Sequence, residues 1–177
     1  MKLLMINYEY PPLGGGAGNS TANLAAELSA LGADVKVLTS SFRGLPKYEK
    51  TKGFSIYRTP VIRRYLHRCS TPEMMTFITS ASLSSIKLAN RQRPDATLAF
   101  FGIPSGPVAY LLKIVFGIPY FVLLRGGDVP GFQPYDLQLY HRLAGPVLRE
   151  IWAKAACVVG NSNGLSDMAR RFYSFTD

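Results

Sequence analysis

The sequence predicts an α/β protein built on a doubly wound, mostly parallel sheet with helices on both faces. Strand-like and helix-like segments alternate along all 177 residues, which is typical of parallel strands joined by crossover helices. The opening apolar run, Lys2-Leu3-Leu4-Met5-Ile6, leads through a glycine-rich turn into an amphipathic stretch, as in Rossmann-like domains. Because 47% of the residues are hydrophobic, the chain can form a substantial core, and we expect one domain over residues 1–177.

The predicted strands are short apolar segments bounded by turn residues. They cover residues 2–7, 34–39, 54–59, 95–101, 119–124 and 157–159. The predicted helices cover residues 19–31, 71–90, 105–116, 134–155 and 165–172.

Capping residues and apolar faces support the first two helices. The first would be capped by Asn19 or Ser20 and terminated by Gly32, and the second would start at the capping box Ser70-Thr71-Pro72-Glu73. The expected buried faces are Leu24, Leu28 and Leu31 in the first helix, and Met74, Phe77, Ile78, Ala81, Leu83 and Ile86 in the second.

Cysteine and histidine usage gives no sign of a disulfide framework or a metal centre. Cys69 and Cys157 are far apart and lack C-x-x-C spacing, and the only histidines are His67 and His141. We therefore expect reduced thiols, a cytoplasmic protein and no metal site.

The most apolar stretch, residues 106–124, has the length of a membrane span. Gly117-Ile118-Pro119 divides it into a helix-length piece and a strand-length piece. A helix, a turn and a buried strand are therefore predicted here. The apolar run after Lys2 stops at Ile6 and is too short for a signal peptide.

The glycine-rich turn after the first strand predicts an anion site. Gly14-Gly15-Gly16-Ala17-Gly18 enters the first helix, whose N-terminus presents unpaired backbone N–H groups and partial positive charge. Because glycine lacks Cβ, an anion can approach this backbone closely. Gly14, Gly15 and Gly16 are thus candidate phosphate-binding residues, and a sharp turn without a ligand is the alternative.

Two familiar phosphate-binding motifs do not fit this turn. A P-loop needs Gly-Lys-Ser/Thr, whereas Gly18 is followed by Asn19-Ser20-Thr21. The dinucleotide fingerprint needs G-x-G-x-x-G and an acidic residue about 20 positions further on. Here the spacing differs, and the second strand ends in Leu38-Thr39-Ser40-Ser41. A P-loop NTPase and an NAD-dependent enzyme are therefore disfavoured.

Further polar turns follow other predicted strands, and the carboxyl ends of parallel strands meet at one edge of a sheet. These turns are residues 102–104, 125–128 and 160–163. In the second of them, Arg125 could bind a phosphate and Asp128 could accept hydrogen bonds from sugar hydroxyls, or the two could form an ion pair that orders the loop. Ser162 could bind a hydroxyl or cap the last helix, and capping is the better interpretation.

The formal net charge of +9 is unevenly placed, and one segment combines several cations with aromatic and apolar residues. Its cations are Arg58, Arg63, Arg64, His67 and Arg68, interleaved with Tyr57, Tyr65 and Leu66. This pattern predicts a patch for an anionic membrane surface or an anionic ligand, with a solvated loop as the alternative. No nucleic-acid motif accompanies it, so no nucleic-acid partner is expected.

Three stretches in this order carry a family resemblance. They are the opening strand with Pro11-Pro12-x-Gly14-Gly15, the segment Leu124-Arg125-Gly126-Gly127-Asp128-Val129-Pro130, and the segment Ala155-Ala156-Cys157-Val158-Val159-Gly160-Asn161-Ser162. Together they resemble the N-terminal half of a retaining GT-B glycosyltransferase of the group often called family 4. The second stretch is similar to that family's His-Gly-x-Asp region, with Arg125 where many relatives have histidine.

The resemblance implies a Rossmann-like acceptor-side domain whose partner, a second Rossmann-like domain, binds most of the nucleotide-sugar donor. That donor-binding C-terminal domain, with its paired glutamate motif, is absent from residues 1–177. The implied reaction moves a sugar, with retention of configuration, to a glycan or lipid-linked acceptor at the cytoplasmic membrane face. The nucleotide-sugar is a co-substrate, and no metal or other cofactor is expected.

The resemblance also implies roles for single residues. Gly15 and Gly16 would place backbone N–H groups near the donor diphosphate, and Asp128 would line the sugar pocket as the candidate catalytic residue. The further candidates for binding acceptor or substrate are Glu9, Arg125, Gly127 and Ser162. We expect residues 1–177 alone to be inactive. The alternative is a stand-alone nucleotide-binding or membrane-surface module without transferase activity.

Overall fold

The computed structural model describes residues 1–51, 53–67, 69–129 and 138–172, with the backbone alone for residues 138–143. Within these described ranges, seven strands form one sheet in the order β3-β4-β2-β1-β5-β6-β7. The strands are β1 (Lys2–Ile6), β2 (Asp34–Ser40), β3 (Tyr48–Lys50), β4 (Ser55–Thr59), β5 (Ala96–Phe100), β6 (Tyr120–Leu123) and β7 (Cys157–Val159). Every pairing is parallel except that of β3 with β4.

Among the described residues, five α-helices pack on this sheet, four of them between strands and the last after β7. They are α1 (Gly16–Ala30), α2 (Thr71–Gln92), α3 (Gly106–Phe116), α4 (Gln138–Lys154) and α5 (Asn163–Phe172). The residues 134–137 of the predicted fourth helix lie outside the described residues.

Two apolar clusters, one on each face of the sheet, form the core. On one face Ala25 of α1 packs with Met5, Val37 and Phe100. On the other face α2, α3 and α4 cover the sheet, with fully buried side chains such as Phe77, Leu112 and Trp152. The predicted doubly wound, mostly parallel, Rossmann-like sheet is therefore confirmed.

The central strand β1 lies between β2 and β5, and the helices that precede these two strands pack on opposite faces of the sheet. The α1 crossover from β1 to β2 lies on one face, and α2, which precedes β5, lies on the other. The carboxyl ends of β1 and β5 therefore flank the topological switch point, where open α/β sheets bind their ligands.

The predicted division of residues 106–124 is also confirmed. Helix α3 ends at Gly117, which has φ +69° and whose N–H donates to the Lys113 carbonyl (2.9 Å), and β6 begins at Tyr120. A residue with this left-handed backbone conformation is a common helix terminator. No helix among the described residues has the length and apolar composition needed to cross a membrane.

Four details of the predicted elements are wrong. Helix α1 begins at Gly16 rather than Asn19, so neither Asn19 nor Ser20 is its cap. Leu31 was expected to be buried but is 83% exposed, because α1 ends one residue before it. Leu83 was also expected to be buried but is 60% exposed, because it lies away from the buried row of α2 formed by Phe77 and Ala81. The edge strand β3 was not predicted, since Tyr48-Glu49-Lys50 has no apolar run.

Candidate functional site

The turns that follow β1, β5, β6 and β7 lie at the carboxyl edge of the sheet, because these four strands are parallel neighbours. We refer to the region that these turns surround as the crevice. The order of the strands thus brings together the four polar turns that the sequence places far apart.

Asn7 joins the end of β1 to the first turns of α1. Its buried side-chain amide donates to the Thr21 hydroxyl (2.7 Å) and to the Ala17 carbonyl (3.3 Å). Its Oδ1 accepts the backbone N–H of Glu9 (3.0 Å). The sequence analysis did not select Asn7, although a polar amide at the end of a buried strand, just before a glycine-rich turn, is a usable signal.

The three candidate glycines of the turn have different environments. Gly14 has φ +78°, its N–H donates to the Leu66 carbonyl (2.9 Å), and a Cβ there would overlap the Glu9 carboxylate. In contrast, a Cβ at Gly15 or Gly16 would meet no atom within 4 Å in the part of the chain that the structure describes. Gly14 therefore shapes the turn, whereas Gly15 and Gly16 have open space beside the backbone.

The N-terminus of α1 carries no side-chain cap. Gly15 is the N-cap residue, and Asn19 N–H is the first to bond back, to the Gly15 carbonyl (3.1 Å). The N–H groups of the first turn, which begins at Gly16, are thus not capped by any described side chain. Unpaired N–H groups and a partial positive charge at this position favour an anion.

Arg63 fixes the loop that faces the glycine turn. Its Nε donates to the Tyr65 carbonyl and its Nη2 to the Leu66 carbonyl, both at 3.0 Å. Its Nη1 donates to the Tyr8 carbonyl (3.0 Å), and its guanidinium lies 5.7 Å from the centre of the Tyr8 ring. Because the Leu66 carbonyl also accepts the Gly14 N–H, Arg63 supports the turn indirectly.

The predicted cationic patch must be corrected. Arg58 is 7% exposed and donates to Glu49 (2.9 Å) and to the Pro46 carbonyl (3.0 Å), and Arg63 is 9% exposed. Both side chains are buried because their charges are used within the fold, so neither belongs to a surface patch. Arg64 is exposed, and Arg68 lies outside the described residues.

Asp128 fastens the turn after β6 to the turn after β5. Its Oδ1 accepts the N–H groups of Arg125 (3.0 Å) and Gly126 (3.1 Å), and its Oδ2 accepts that of Gly102 (3.0 Å). The residue is 2% exposed. Burial raises the pKa of Asp128, and the backbone donors counteract this rise. The carboxylate therefore orders the loop through backbone N–H groups, and the ion pair with Arg125 that the sequence offered as an alternative is not among the ion pairs of the described residues.

Arg125 places a positive charge at the same edge. Its guanidinium lies over the Phe100 ring, 4.8 Å from the ring centre, and its buried Nε has no hydrogen-bond partner among the described residues. Partial burial lowers the pKa of Arg125, and the Asp128 carboxylate counteracts this effect. An arginine with an unused donor at this position can bind an anionic group of a substrate.

Three other site candidates have simple environments. Ser162 is exposed, and its Oγ accepts the Leu165 N–H (3.2 Å) at the start of α5, so the capping interpretation is confirmed. Gly127 is half-buried, and a Cβ there would meet nothing within 4 Å. Glu9 is half-buried. The pKa of Tyr8 is raised, first by the burial of Tyr8 and second by the nearby Glu9 carboxylate.

Among the described residues, no group of three or more His, Cys, Asp or Glu side chains could hold a metal ion. Cys69 and Cys157 are free thiols. Burial raises the pKa of Cys69 to about 11, which leaves it protonated and unreactive near neutral pH.

Comparison with solved structures shows which proteins share this fold. Sucrose-phosphate synthase from Thermosynechococcus elongatus superposes on 100% of the chain with a TM-score of 0.82 at 17% identity, and the match covers 47% of that protein. WaaG, a glycosyltransferase involved in lipopolysaccharide biosynthesis, superposes on 97% of the chain with a TM-score of 0.60 at 14% identity, covering 41% of its own chain. The fold is therefore the Rossmann-like domain of GT-B glycosyltransferases.

Sequence comparison leads to the same group of proteins. TuaC of Bacillus subtilis (strain 168), named as a candidate teichuronic acid biosynthesis glycosyltransferase, is 28% identical over 192 residues. The match covers 99% of the chain and 48% of TuaC, so the chain spans about half the length of this relative. The family model described as a glycosyl transferase 4-like domain matches residues 15–175. The chain belongs to the glycosyl transferase 4-like family.

Proposed function

We propose that this chain is the acceptor-side domain of an enzyme that transfers a sugar from a nucleotide-sugar to a glycan or lipid-linked acceptor, with retention of configuration. The observation that carries the proposal is the uncapped N-terminus of α1, beside the open backbone of Gly15 and Gly16, in a member of this family. The proposed ligand of these N–H groups is the donor diphosphate.

A diphosphate suits this site because negative charge develops on it as the bond to the sugar breaks. Backbone N–H groups held in place before the reaction stabilise such charge without needing to reorganise. Asn7 fixes the helix start, and the Gly14 N–H is fixed by the Leu66 carbonyl. The remaining N–H groups at Gly15 and Gly16 are therefore presented by a rigid turn.

Arg125 is proposed to bind an anionic group of donor or acceptor. It lies at the end of β6, its guanidinium stacks on Phe100, and one of its donors has no partner among the described residues. A guanidinium does not release its proton near neutral pH, so Arg125 binds charge and does not act as a base.

Asp128 is proposed to position the turn that carries Arg125. Both carboxylate oxygens accept backbone N–H groups, which fixes Arg125 and Gly126 relative to Gly102. Direct participation of Asp128 in the reaction stays a prediction of the sequence analysis.

The acceptor is proposed to approach along the groove beside residues 62–65 and 69–76. This groove of about 460 Å³ contains the exposed Arg64 and is bordered by the apolar side chains of Ile62 and Tyr65, which are 67% and 66% exposed. A cation beside apolar groups suits a lipid-linked acceptor at an anionic, cytoplasmic membrane face.

A second, donor-binding domain is proposed as the partner of this one. TuaC is about twice as long as the region matched by this chain, and the same holds for the sucrose-phosphate synthase structure. This second domain is proposed to face the crevice and to hold the donor opposite Gly15 and Gly16.

The test is sugar transfer by the complete protein that contains this chain. It is incubated with a panel of nucleotide-sugars and with membrane lipid or oligosaccharide acceptors, and products are identified by mass spectrometry and NMR. We expect transfer with the anomeric configuration of the donor. An inverted product would contradict the retaining mechanism, and a folded protein that binds nucleotide but transfers no sugar would favour the stand-alone module.

A further inference from the structure

A second cluster of cations lies outside the crevice, in a pocket of about 190 Å³ between β4 and α2. We refer to it as the β4–α2 pocket. The residues that line it are Leu38, Lys47, Tyr57, Arg58, Thr59, Ser84, Lys87, Leu88 and Arg91. Four of these nine residues are cationic and none is acidic, so the pocket has a strongly positive lining.

Three of the four charges have no acidic partner among the described residues. Arg58 is paired with Glu49 (2.9 Å), whereas Lys47, Lys87 and Arg91 form no ion pair in that part of the chain. Lys87 and Arg91 are four residues apart on α2, and like charges at this spacing destabilise a helix. A bound anion would relieve this repulsion.

The hydroxyl-bearing residues Thr59 and Ser84 line the same pocket. The Thr59 hydroxyl is 2.5 Å from the Ser80 hydroxyl and 2.8 Å from that of Ser84, and Thr59 is 1% exposed. Each of the three hydroxyls carries one proton, and the two hydrogen bonds among them take up two of these three protons. In two of the three possible arrangements the spare proton is on Thr59 or Ser84, which both line the pocket.

From these features we infer that the β4–α2 pocket binds a phosphate group, either as free phosphate or as a lipid phosphomonoester. Three cations that form no ion pair among the described residues are more than enough to neutralise a phosphate dianion, Arg91 can donate two parallel hydrogen bonds to phosphate oxygens, and a hydroxyl can add a further donor. The pocket volume accommodates one such group. This inference does not depend on the proposed function, because the crevice is formed by other residues, at the ends of β1, β5, β6 and β7.

The first experiment measures phosphate binding to the chain by isothermal titration calorimetry at constant ionic strength. The pocket variant is Lys87→Gln with Arg91→Gln. The matched control is Arg43→Gln with Lys154→Gln, which removes the same charge at two exposed positions outside the pocket. We expect the pocket variant to bind about tenfold more weakly or worse, since charge-assisted hydrogen bonds are lost, and the control to bind like the parent chain.

A second arm distinguishes the two sources of phosphate, using phosphatidylcholine vesicles with and without phosphatidic acid. If the pocket variant binds phosphatidic acid vesicles more weakly but shows no change in calorimetry, the site binds lipid phosphate. If the pocket variant binds phosphate more weakly in calorimetry, the site binds free phosphate. Equal effects of the pocket and control variants, or no saturable binding in either arm, would overturn the inference. Loss of binding in Arg125→Gln alone would place the phosphate in the crevice, which overturns the inference and leaves the proposed function intact.

Discussion

At the scale of single residues, Arg63 and Arg64 show how differently two neighbouring cations are used. Arg63 is buried and donates to three backbone carbonyls, whereas the Arg64 side chain lies at an exposed groove. Both occur in the same basic segment, so the sequence predicted one role for both. Only the structure shows which of the two finds carbonyl partners, because the Tyr8 carbonyl lies 55 residues away and the two nearby carbonyls face Arg63 only in the folded loop.

This difference predicts unequal effects of the same substitution. Arg63→Gln leaves carbonyls without donors and should lower the free energy of unfolding by about 1–3 kcal/mol, whereas Arg64→Gln should change it by no more than about 0.5 kcal/mol. Urea unfolding followed by circular dichroism measures both. Equal losses in the two variants would show that Arg63 does not hold the loop.

The hydrogen-bond partners of Asp128 could not be predicted from the sequence. The sequence placed Arg125 and Asp128 correctly at the end of a strand and offered both a binding and a loop-ordering interpretation. The partners of Asp128 include the Gly102 N–H, 26 residues away, which no local pattern indicates. A local pattern likewise gives no reason to expect that Arg125 stacks on Phe100.

At the scale of elements, helix starts were predictable where side chains form the cap. The capping box of α2 is present as expected, with Glu73 accepting the Ser70 N–H (2.7 Å) and hydroxyl (2.9 Å) as well as the Arg64 N–H (2.8 Å). Helix α1 is capped by no side chain, and its start was placed three residues too late. The residues that make this start hard to predict, the glycines, are those that leave it open to a ligand.

The Glu73 contacts predict a pH-dependent contribution to stability. Hydrogen bonds from Ser70, foremost its backbone N–H, lower the pKa of Glu73 from its ordinary value of 4.5, and burial opposes them. A lowered folded-state pKa contributes stability that is present above pH 4.5 and is lost as pH falls through that lowered value. Glu73→Gln should therefore be less stable than the parent chain by about 1 kcal/mol at pH 7, and this gap should close in acid.

Urea unfolding between pH 7 and pH 3 measures this gap. Glu27→Gln is the matched control, because Glu27 is exposed on α1 and its carboxylate accepts no hydrogen bond in the part of the chain that the structure describes. The control should show no gap that closes in acid. A Glu73→Gln gap that stays constant with pH would contradict the assigned role of the carboxylate.

At the scale of the whole molecule, the alternation of strands and helices was enough to predict the sheet and its crevice. Parallel strands bring their carboxyl ends to one edge whatever their order, so the polar turns could be placed together from the sequence alone. The edge strand β3 was not predictable in this way, since it pairs antiparallel with β4 and carries charges. Its role is local, and it leaves the crevice unchanged.

The most direct test of the central claim, that the turn at Gly15 and Gly16 binds the donor diphosphate, is the kcat/KM of sugar transfer by Gly16→Ala in the complete protein. The new methyl group would meet no atom of the described residues within 4 Å, so the fold should be kept, but it would occupy space needed by the diphosphate. Gly164→Ala, in the first turn of α5 and equally unobstructed, is the control. We predict a loss of about tenfold or more for Gly16→Ala alone; transfer at the parent rate by this variant would contradict the account.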